Sequence, residues 1–349
     1  MSLLSGLSPA TRRAGATAIV LSAALLVTYA CSTEQAAADL PKLKLDASRT
    51  TVSGLSSGAY MATQVHMAFS DHITGVALFA GGPYGCAKGD LETALTQCLN
   101  PAADKLPDVA ELASIVQVRA AEGSIAPLDG LVDDKVLVVH GTLDTTVAAG
   151  LSTASANLYQ QLGGAVVETE MARAMAHTFP TLATGTACDV SESPFLGNCK
   201  FDGAGEILAQ LYSNEAQAAE LATGELRTFN QNTYLPEGKD ALLADTGYVY
   251  IPKSCTEGET CALHIAFHGC LQNAAAIGDA FVSQAGYNRW ADARRLVVLY
   301  PQTRASYAPL NPKACWDWWG YSGTDYDTRN GVQLRWLANA AAALGAPLE

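Results

Sequence analysis

Short apolar runs of strand length alternate with longer helical patterns along this 349-residue chain, and this alternation restricts its fold more than any other feature. Strands are predicted at 74–80, 135–140 and 165–171, and helices at 107–121 and 151–162 lie between them. A helix between two strands carries the chain back along the sheet, so that the strands pair in parallel. The pattern therefore predicts a mainly parallel sheet with helices on both faces.

The remaining predicted elements continue this alternation on both sides of a loop-like segment at 188–203, which is rich in Ser, Gly, Asn, Pro and Asp. No repeat, low-complexity tract or long linker divides the sequence. Residues 39–349 are therefore predicted to form a single domain. The other predicted elements are strands at 42–46, 50–53, 225–230, 248–251, 263–267 and 296–300, and helices at 61–69, 206–212, 277–294 and 334–344.

The composition is typical of a folded, acidic protein. Hydrophobic residues make up 49% of the chain, which is enough for a substantial core and too many for a disordered or fibrous protein. The formal net charge is -13, and Lys and Arg are scattered along the sequence. Nucleic-acid binding needs a concentrated basic surface, so no nucleic-acid partner is predicted.

Residues 1–38 have the pattern of an export signal. Arg12 and Arg13 precede an apolar run at 14–30, which is too short to predict a membrane span. Two processing sites are open: small residues precede Asp39, and the sequence before Cys31 loosely resembles a lipoprotein box. The protein is therefore predicted to be extracellular or periplasmic, or to be an outer-membrane lipoprotein with a lipid anchor on Cys31.

The chain has nine cysteines, and eight remain once Cys31 is assigned to the signal. An even number suits disulfides in an oxidising compartment, although buried free thiols are the alternative. Three of the pairs that we expect are sequence neighbours that close short loops. The expected pairs are Cys86 with Cys98, Cys188 with Cys199, Cys255 with Cys261, and Cys270 with Cys315.

The pentapeptide Gly54-Leu55-Ser56-Ser57-Gly58 lies between a predicted strand and a predicted helix. It fits the GxSxG nucleophile elbow, a sharp strand-to-helix turn that presents a serine hydroxyl above a parallel sheet. An ordinary Gly-Ser turn is the alternative, because this pattern also arises by chance in a chain with 30 glycines. The flanking strand and helix favour the elbow, with Ser56 as the nucleophile.

A serine nucleophile needs a base and a carboxylate that orients the base. Asp144 follows the strand at 135–140, at a strand end where α/β sheets collect functional groups, and His177 follows the strand at 165–171. With Ser56 they occur in the order Ser, Asp, His that α/β-hydrolases use. A turn-forming Asp is the alternative for Asp144. Structural roles are predicted for His66, His72, His140 and His264.

The strand at 263–267 ends in the sequence FHGC. In α/β-hydrolases such an HG pattern donates a backbone N–H to the oxyanion hole, so Cys270 and Ser57 are the predicted donors. His264 and His268 are four residues apart but lack the glutamate of HExxH, and no metal site is predicted. The HG strand normally precedes the nucleophile elbow, whereas here it follows, and this order predicts a circular permutation.

Several longer segments resemble circularly permuted poly(3-hydroxybutyrate) depolymerases: GLSSGAYMATQ, HGTLDTTV, AHTFPT, CKFDGAGEILAQLY, FHGCLQN and NPKACWDWWGYSGTDYDTRNGVQLRW. The resemblance covers nearly all of the chain after the export signal. It implies a circularly permuted α/β-hydrolase fold and a serine esterase that cleaves polyesters of short 3-hydroxy acids without a cofactor. It also implies the triad Ser56, Asp144 and His177, with Ser57 and Cys270 as the oxyanion hole.

The family typically binds polyester in a crevice lined by apolar and aromatic groups. Trp316 is our first choice for this lining, followed by Trp318, because a Cys270 to Cys315 bridge would hold them beside the oxyanion hole. Burial of these tryptophans in the core is the alternative. No substrate-binding module is expected after Ala340, so we expect amorphous polymer or soluble oligomers to be the substrates. We also expect the protein to be a monomer.

Two other functions are open at this point. One is a carboxylesterase of the same fold that acts on small acyl, feruloyl or acetyl esters. The other belongs to a different class: a catalytically silent envelope protein that binds polyester granules or cell-wall material. The ordered Ser, Asp and His argue against the second, because a binding protein has no need of a catalytic triad.

Overall fold

An eight-stranded sheet forms the centre of the protein. The computed structural model describes residues 38–212 and 216–349, which belong to one compact unit. The arginine pair, the apolar run and Cys31 of the predicted export signal lie outside the described residues. Within these ranges, no helix is long and apolar enough to cross a bilayer.

Strands and helices alternate along the described chain, with three short 3-10 helices at Ala103–Lys105, Leu128–Leu131 and Gln231–Tyr234. The strands are β1 Leu45–Leu55, β2 Ile73–Phe79, β3 Lys135–Val139, β4 Val166–Glu170, β5 Phe179–Thr181, β6 Thr186–Ala187, β7 Leu196–Asn198, β8 Glu225–Asn230, β9 Thr246–Ile251, β10 Cys261–Phe267, β11 Leu296–Tyr300, β12 Ser306–Tyr307 and β13 Leu310–Asn311. The helices are α1 Ser57–Ala68, α2 Leu91–Gln97, α3 Val109–Ala121, α4 Ala149–Leu162, α5 Gly203–Tyr212, α6 Lys253–Thr256, α7 Ala274–Ile277, α8 Ala280–Gln284, α9 Tyr287–Arg294 and α10 Val332–Leu344.

The strand order across the main sheet is β4-β3-β2-β1-β10-β11-β9-β8. Strand β9 is antiparallel to both of its neighbours, and all other neighbouring pairs are parallel. The prediction of a mainly parallel sheet is therefore confirmed. Gly54, near the end of β1, pairs with Phe267 at the end of β10. The loops that follow these two central strands therefore meet at the carboxyl ends of the parallel strands.

Both faces of the sheet are covered by helices. Successive side chains of a strand point to opposite faces, and β2 shows this alternation. Val76 and Leu78 pack into a cluster with residues of α1, α3, α4 and α10. Ala77 and Phe79 pack into a second cluster with residues of α5, α8 and α9. Burial on both faces explains why the central strands read as continuous apolar runs in the sequence.

Two sequence predictions need correction. The single helix predicted at 277–294 is wrong, because the structure has three short helices, α7, α8 and α9, in its place. Gly278 and Gly286 have φ of 63° and 101°, a conformation that glycine adopts without a Cβ clash and that ends a helix. The strands predicted at 42–46 and 50–53 are one strand, β1, which has an irregular register near its start.

Four disulfides join the eight cysteines of the described chain, with Cα–Cα distances from 4.2 to 6.0 Å. They pair the cysteines as the sequence analysis expected. The bonds are Cys86–Cys98, Cys188–Cys199, Cys255–Cys261 and Cys270–Cys315. The last one ties the loop after β10 to the loop before α10, and four such bonds indicate an oxidising compartment outside the cytosol.

Two buried histidines stay neutral inside the fold. In β10, the two ring nitrogens of His264 each lie 2.8 Å from a hydroxyl, that of Thr51 or Ser53. His268 packs against the ring of Trp316. Burial lowers the pKa of His264 to about 3 and the pKa of His268 to about 4. In the unfolded chain both histidines regain a pKa of about 6.5.

We predict that acid weakens the fold through these two histidines. Below pH 6.5 the unfolded chain binds protons that the folded protein does not, so the free energy of unfolding decreases as the pH is lowered. Between pH 7.5 and pH 5 the loss is about 2 kcal/mol for each histidine. Urea unfolding with intact disulfides measures it, and His264→Gln should remove about half of the pH dependence. An undiminished pH dependence in this variant would contradict the prediction.

Candidate active site

The predicted nucleophile elbow lies between β1 and α1. Ser56 has φ 59° and ψ -122°, a strained conformation that marks the sharp turn from strand to helix. Its N–H donates to the carbonyl oxygen of Phe79 at 2.9 Å, which anchors the turn on β2. A Cβ on Gly58 would lie 2.5 Å from the carbonyl oxygens of Phe267 and His268. Glycine at this position lets α1 begin directly against the end of β10.

Asp144 and His177 meet because the loops after β3 and β4 are joined to each other. The N–H of Leu143 donates to the carbonyl oxygen of Met175 at 3.1 Å, which holds the two loops side by side. His177 Nδ1 lies 2.7 Å from Asp144 Oδ2. The side chain of Asp144 is fully buried behind the imidazole.

The Asp144 carboxylate is ionised despite its burial. Its Oδ1 accepts hydrogen bonds from the N–H groups of Thr146 at 2.8 Å and Val147 at 3.0 Å. Burial by itself raises the pKa of Asp144, but His177 and these two N–H groups outweigh burial and hold the pKa below its usual value. Since an ionised carboxylate only accepts hydrogen bonds, His177 Nδ1 carries the hydrogen and Nε2 is left as a proton acceptor.

A cleft of about 460 Å³ brings this pair together with the serine. Ser56 and His177 both line the cleft, and both are less than a tenth exposed. In the part of the chain that the structure describes, Ser56 Oγ makes no hydrogen bond to the imidazole. Such hydrogen bonds are often long before a substrate binds. The arrangement provides a nucleophile, a base with a free nitrogen and a carboxylate, which are the groups that acyl transfer needs.

Two backbone N–H groups beside Ser56 are unpaired. Among the hydrogen bonds of the described residues, none is donated by the N–H of Ser57 or of Cys270. Gly269 approaches the nucleophile so closely that its Cβ would lie 3.5 Å from Ser56 Cβ. The N–H of Gly269 is itself occupied, because it donates to Gln272 Oε1 at 2.7 Å. The amides of Ser57 and Cys270 are thus free to receive an oxyanion.

Gln272 is a positioning residue that the sequence analysis missed. It is 1% exposed, and its Nε2 donates to the carbonyl oxygens of Pro194 at 3.2 Å and Phe195 at 3.0 Å. It therefore links the loop after β10 to the disulfide-clipped loop between β6 and β7. In that second loop, Ser191 Oγ donates to the carbonyl oxygen of His177 at 3.1 Å. The available signal was a glutamine three residues after the glycine of the HG pattern in FHGCLQN.

Trp316, our first choice for the cleft lining, lies in the core instead, and this corrects the sequence prediction. It is 1% exposed, and its Nε1–H donates to the carbonyl oxygen of His268 at 3.0 Å. Trp318, the second choice, lines the cleft together with Trp319 and stacks on Tyr60 at 4.6 Å between ring centroids. The loop has no helical or strand periodicity, so its sequence does not indicate which tryptophan faces the cleft.

Asp317 holds the turn that carries these tryptophans, and it too was missed. Its carboxylate accepts four backbone N–H bonds, from Trp319 at 3.3 Å, Gly320 at 2.7 Å, Tyr321 at 3.0 Å and Ser322 at 2.8 Å. The hydroxyl of Ser322 donates a fifth bond at 2.6 Å. The buried carboxylate therefore fixes the backbone around which the tryptophan wall of the cleft is built.

The cleft is predominantly apolar. Its polar lining is confined to the reacting groups and a few neighbours, whereas most of its wall is hydrocarbon. Such a surface favours substrates with methyl and methylene groups beside the scissile carbonyl. The apolar lining residues are Leu55, Leu91, Leu95, Leu99, Phe195, Leu271, Leu310, Pro312, Trp318 and Trp319.

The other histidines do not enter the cleft. His140 Nε2 lies 3.8 Å from Asp144 Oδ2, which is too far for a hydrogen bond, and its Nδ1 lies 2.9 Å from Ser152 Oγ. His66, in the last turn of α1, is bonded to Asp134 at 2.9 Å and does not line the cleft. Within residues 38–212 and 216–349, no group of three or more His, Cys, Asp or Glu side chains is arranged to hold a metal ion.

The chain is similar to known proteins, among them two relatives and a solved structure, although no family model matches it. A poly(3-hydroxybutyrate) depolymerase of Delftia acidovorans is 39% identical over 86% of this chain, which spans 60% of that relative. A polyhydroxybutyrate depolymerase of Talaromyces funiculosus is 36% identical over 86% of this chain and 90% of the relative. A PHB depolymerase with a serine-to-alanine substitution, complexed with an R3HB trimer, matches with a TM-score of 0.81 and 31% identity over 88% of this chain and 99% of its own.

We predict that Gln272→Leu lowers kcat about tenfold with little change in KM, because the N–H of Cys270 loses its fixed position. Steady-state hydrolysis of p-nitrophenyl butyrate measures both constants. Gln272→Glu keeps an acceptor for the Gly269 N–H and should retain more activity than the leucine variant. Gln284→Leu, on the exposed side of α8, is the matched control and should leave kcat unchanged. A wild-type kcat in Gln272→Leu would contradict the positioning role.

Proposed function

The chain belongs to the poly(3-hydroxybutyrate) depolymerase family, and from this we propose that it hydrolyses the ester bonds of poly(3-hydroxybutyrate) or a related short-chain polyhydroxyalkanoate. One observation carries the proposal. Ser56 and the Asp144-bound imidazole of His177 line one apolar cleft beside two unpaired backbone N–H groups. Ester hydrolysis is the reaction for which these groups are suited, because it needs a nucleophile, a base and oxyanion donors.

In the proposed mechanism His177 Nε2 takes the proton of Ser56 as the serine oxygen attacks the ester carbonyl. The N–H groups of Ser57 and Cys270 stabilise the negative charge that develops on the carbonyl oxygen. Asp144 stabilises the imidazolium without taking up a proton itself. His177 then protonates the leaving alcohol, and an acyl-enzyme forms on the serine.

Deacylation repeats these steps with water as the nucleophile. His177 takes a proton from the water that attacks the acyl-enzyme, and it returns the proton to Ser56 as the acid product leaves. Each cycle consumes one water molecule and releases one alcohol end and one carboxylate end. The protein residues alone supply every proton transfer in this scheme.

The cleft supports short-chain polyester as the substrate. Its volume of about 460 Å³ is within the range of about 300–1,000 Å³ that holds small molecules, so it suits a few hydroxyacyl units. The wall formed by Trp318 and Trp319 offers flat apolar surface to the methyl groups of the chain. We propose that accessible chains, as in amorphous polymer or soluble oligomers, are the substrates.

We also propose that the fold is circularly permuted. The N–H of Leu43 donates to the carbonyl oxygen of Leu344 at 2.9 Å, so the start of the described chain lies against the end of α10. Adjacent ends allow the same sheet to be built from a different starting strand. The position of β10 beside β1 in the sheet, after the whole triad in the chain, supports this proposal.

For the location of the protein, the four disulfides support export. We propose an extracellular or periplasmic protein, or an outer-membrane lipoprotein if Cys31 is the processed residue. Mass spectrometry of the mature N-terminus distinguishes these outcomes. A terminus at Asp39 supports a free protein, and a diacylglycerol-modified Cys31 supports the anchor.

We predict that the purified protein clears a suspension of amorphous poly(3-hydroxybutyrate) and that Ser56→Ala lowers the rate by at least about 10³-fold. Turbidity measures clearing, and p-nitrophenyl butyrate reports small-ester hydrolysis alongside. Ser283→Ala, on α8 and away from the cleft, is the matched control and should clear at the wild-type rate.

The outcomes separate the three functions considered above. Clearing that is lost in Ser56→Ala supports the depolymerase. Serine-dependent hydrolysis of the small ester without clearing would reject it in favour of a carboxylesterase. A protein that is inactive on both substrates but sediments with the polymer would be a binding protein.

A further inference from the structure

One basic side chain lines the apolar cleft. Among the lining residues within the described ranges, Lys313 is the single Lys, Arg, Asp or Glu side chain. This cation occurs in a protein whose formal net charge is -13, so its sign is opposite to that of the molecule as a whole. A positive group in an otherwise uncharged cleft selects for a negative group on the ligand.

The Lys313 ammonium has no counter-ion in the parts of the chain that the structure describes. Two of the nine lysines form ion pairs within the described residues, Lys88 with Glu111 and Lys253 with Glu257, and Lys313 is not one of them. Its side chain is exposed, so the ammonium is available to a ligand. No acidic side chain lines the cleft to compete for it.

The backbone of Lys313 is fixed beside the predicted oxyanion hole. Its carbonyl oxygen accepts the N–H of Leu271 at 2.7 Å. Two residues further on, Cys315 forms the disulfide with Cys270, and their Cα atoms are 4.2 Å apart. The side chain of Lys313 therefore extends from a backbone segment that is anchored at two points to the loop after β10.

Ester chains of hydroxy acids carry charge at one place only. Every internal unit is a neutral ester, and the acid end is a carboxylate at neutral pH. We propose that Lys313 binds the terminal carboxylate of a short 3-hydroxyacid oligomer in the cleft. This inference rests on the proposed function, and it adds a preference for the acid ends of soluble oligomers over neutral chain interiors.

The test compares two ligands that differ in one charge: a linear 3-hydroxybutyrate trimer with a free carboxylate and the methyl ester of the same trimer. Binding is measured by calorimetry in the Ser56→Ala background, in which the ligands are not consumed. The acid should bind roughly two- to fivefold more tightly than the ester, the size expected of an exposed ion pair. The difference should shrink in 0.5 M NaCl, because salt screens exposed charges.

Adding Lys313→Gln to Ser56→Ala should abolish the difference in affinity between the two ligands, because it weakens the binding of the acid alone. Lys313→Glu should make the methyl ester the tighter ligand. Lys253→Gln is the matched control, because it removes the same charge from an exposed lysine in α6, before the start of β10. It should leave the preference intact. Equal weakening of both ligands by Lys313→Gln, or an unchanged preference for the acid, would overturn the inference.

A separate measurement keeps this inference distinct from the proposed function. The wild-type protein is incubated with the methyl ester of the trimer, and chromatography measures the 3-hydroxybutyrate units that are released. This tests the depolymerase activity on a substrate without a carboxylate. If that release is absent, the proposed function fails, and the binding data still decide whether Lys313 recognises the acid end.

Discussion

The site depends on how closely the start of α1 approaches the end of β10. Gly58 meets the carbonyl oxygens of Phe267 and His268 at a distance that leaves no room for a Cβ. This contact sets the start of α1, which includes Ser57, against the end of β10, from which the loop with Cys270 continues, although the two residues are more than 200 positions apart in the chain. An oxyanion hole must be in position before the reaction begins, and in the proposed mechanism the packing of α1 against β10 supplies that preorganisation.

The loops around this contact are held by separate tethers. A disulfide joins Cys270 to Cys315, the amide of Gln272 bridges two loops, and the carboxylate of Asp317 gathers the turn of the tryptophan wall. Loops at the carboxyl edge of a sheet are otherwise the most mobile part of such a fold. The tethers restrain these loops, and in the proposed reaction this lowers the entropy that is lost when an ester chain is held for attack.

Some features were predictable because their signal is local. The elbow at Ser56 is read from glycine spacing between a strand and a helix, and the alternation of elements indicates the parallel sheet. The prediction of one helix at 277–294 failed because the apolar pattern continues through the segment, whereas Gly278 and Gly286 adopt positive φ and interrupt the helix. Trp316 was misassigned because a loop has no periodicity from which the direction of a side chain can be read.

The sequence by itself determined which residues are proposed to attack, accept a proton and orient the base, and which cysteines are available for disulfides. Only the tertiary structure decided which tryptophan faces the cleft and that Gln272 occupies the Gly269 amide. It also decided that Lys313 is the one Lys, Arg, Asp or Glu side chain among the described residues that line the cleft. The physical reason is the distance along the chain between the residues that interact. Turn conformation and strand periodicity depend on neighbours in the chain, whereas burial and hydrogen-bond partners depend on residues that meet only when the sheet has formed.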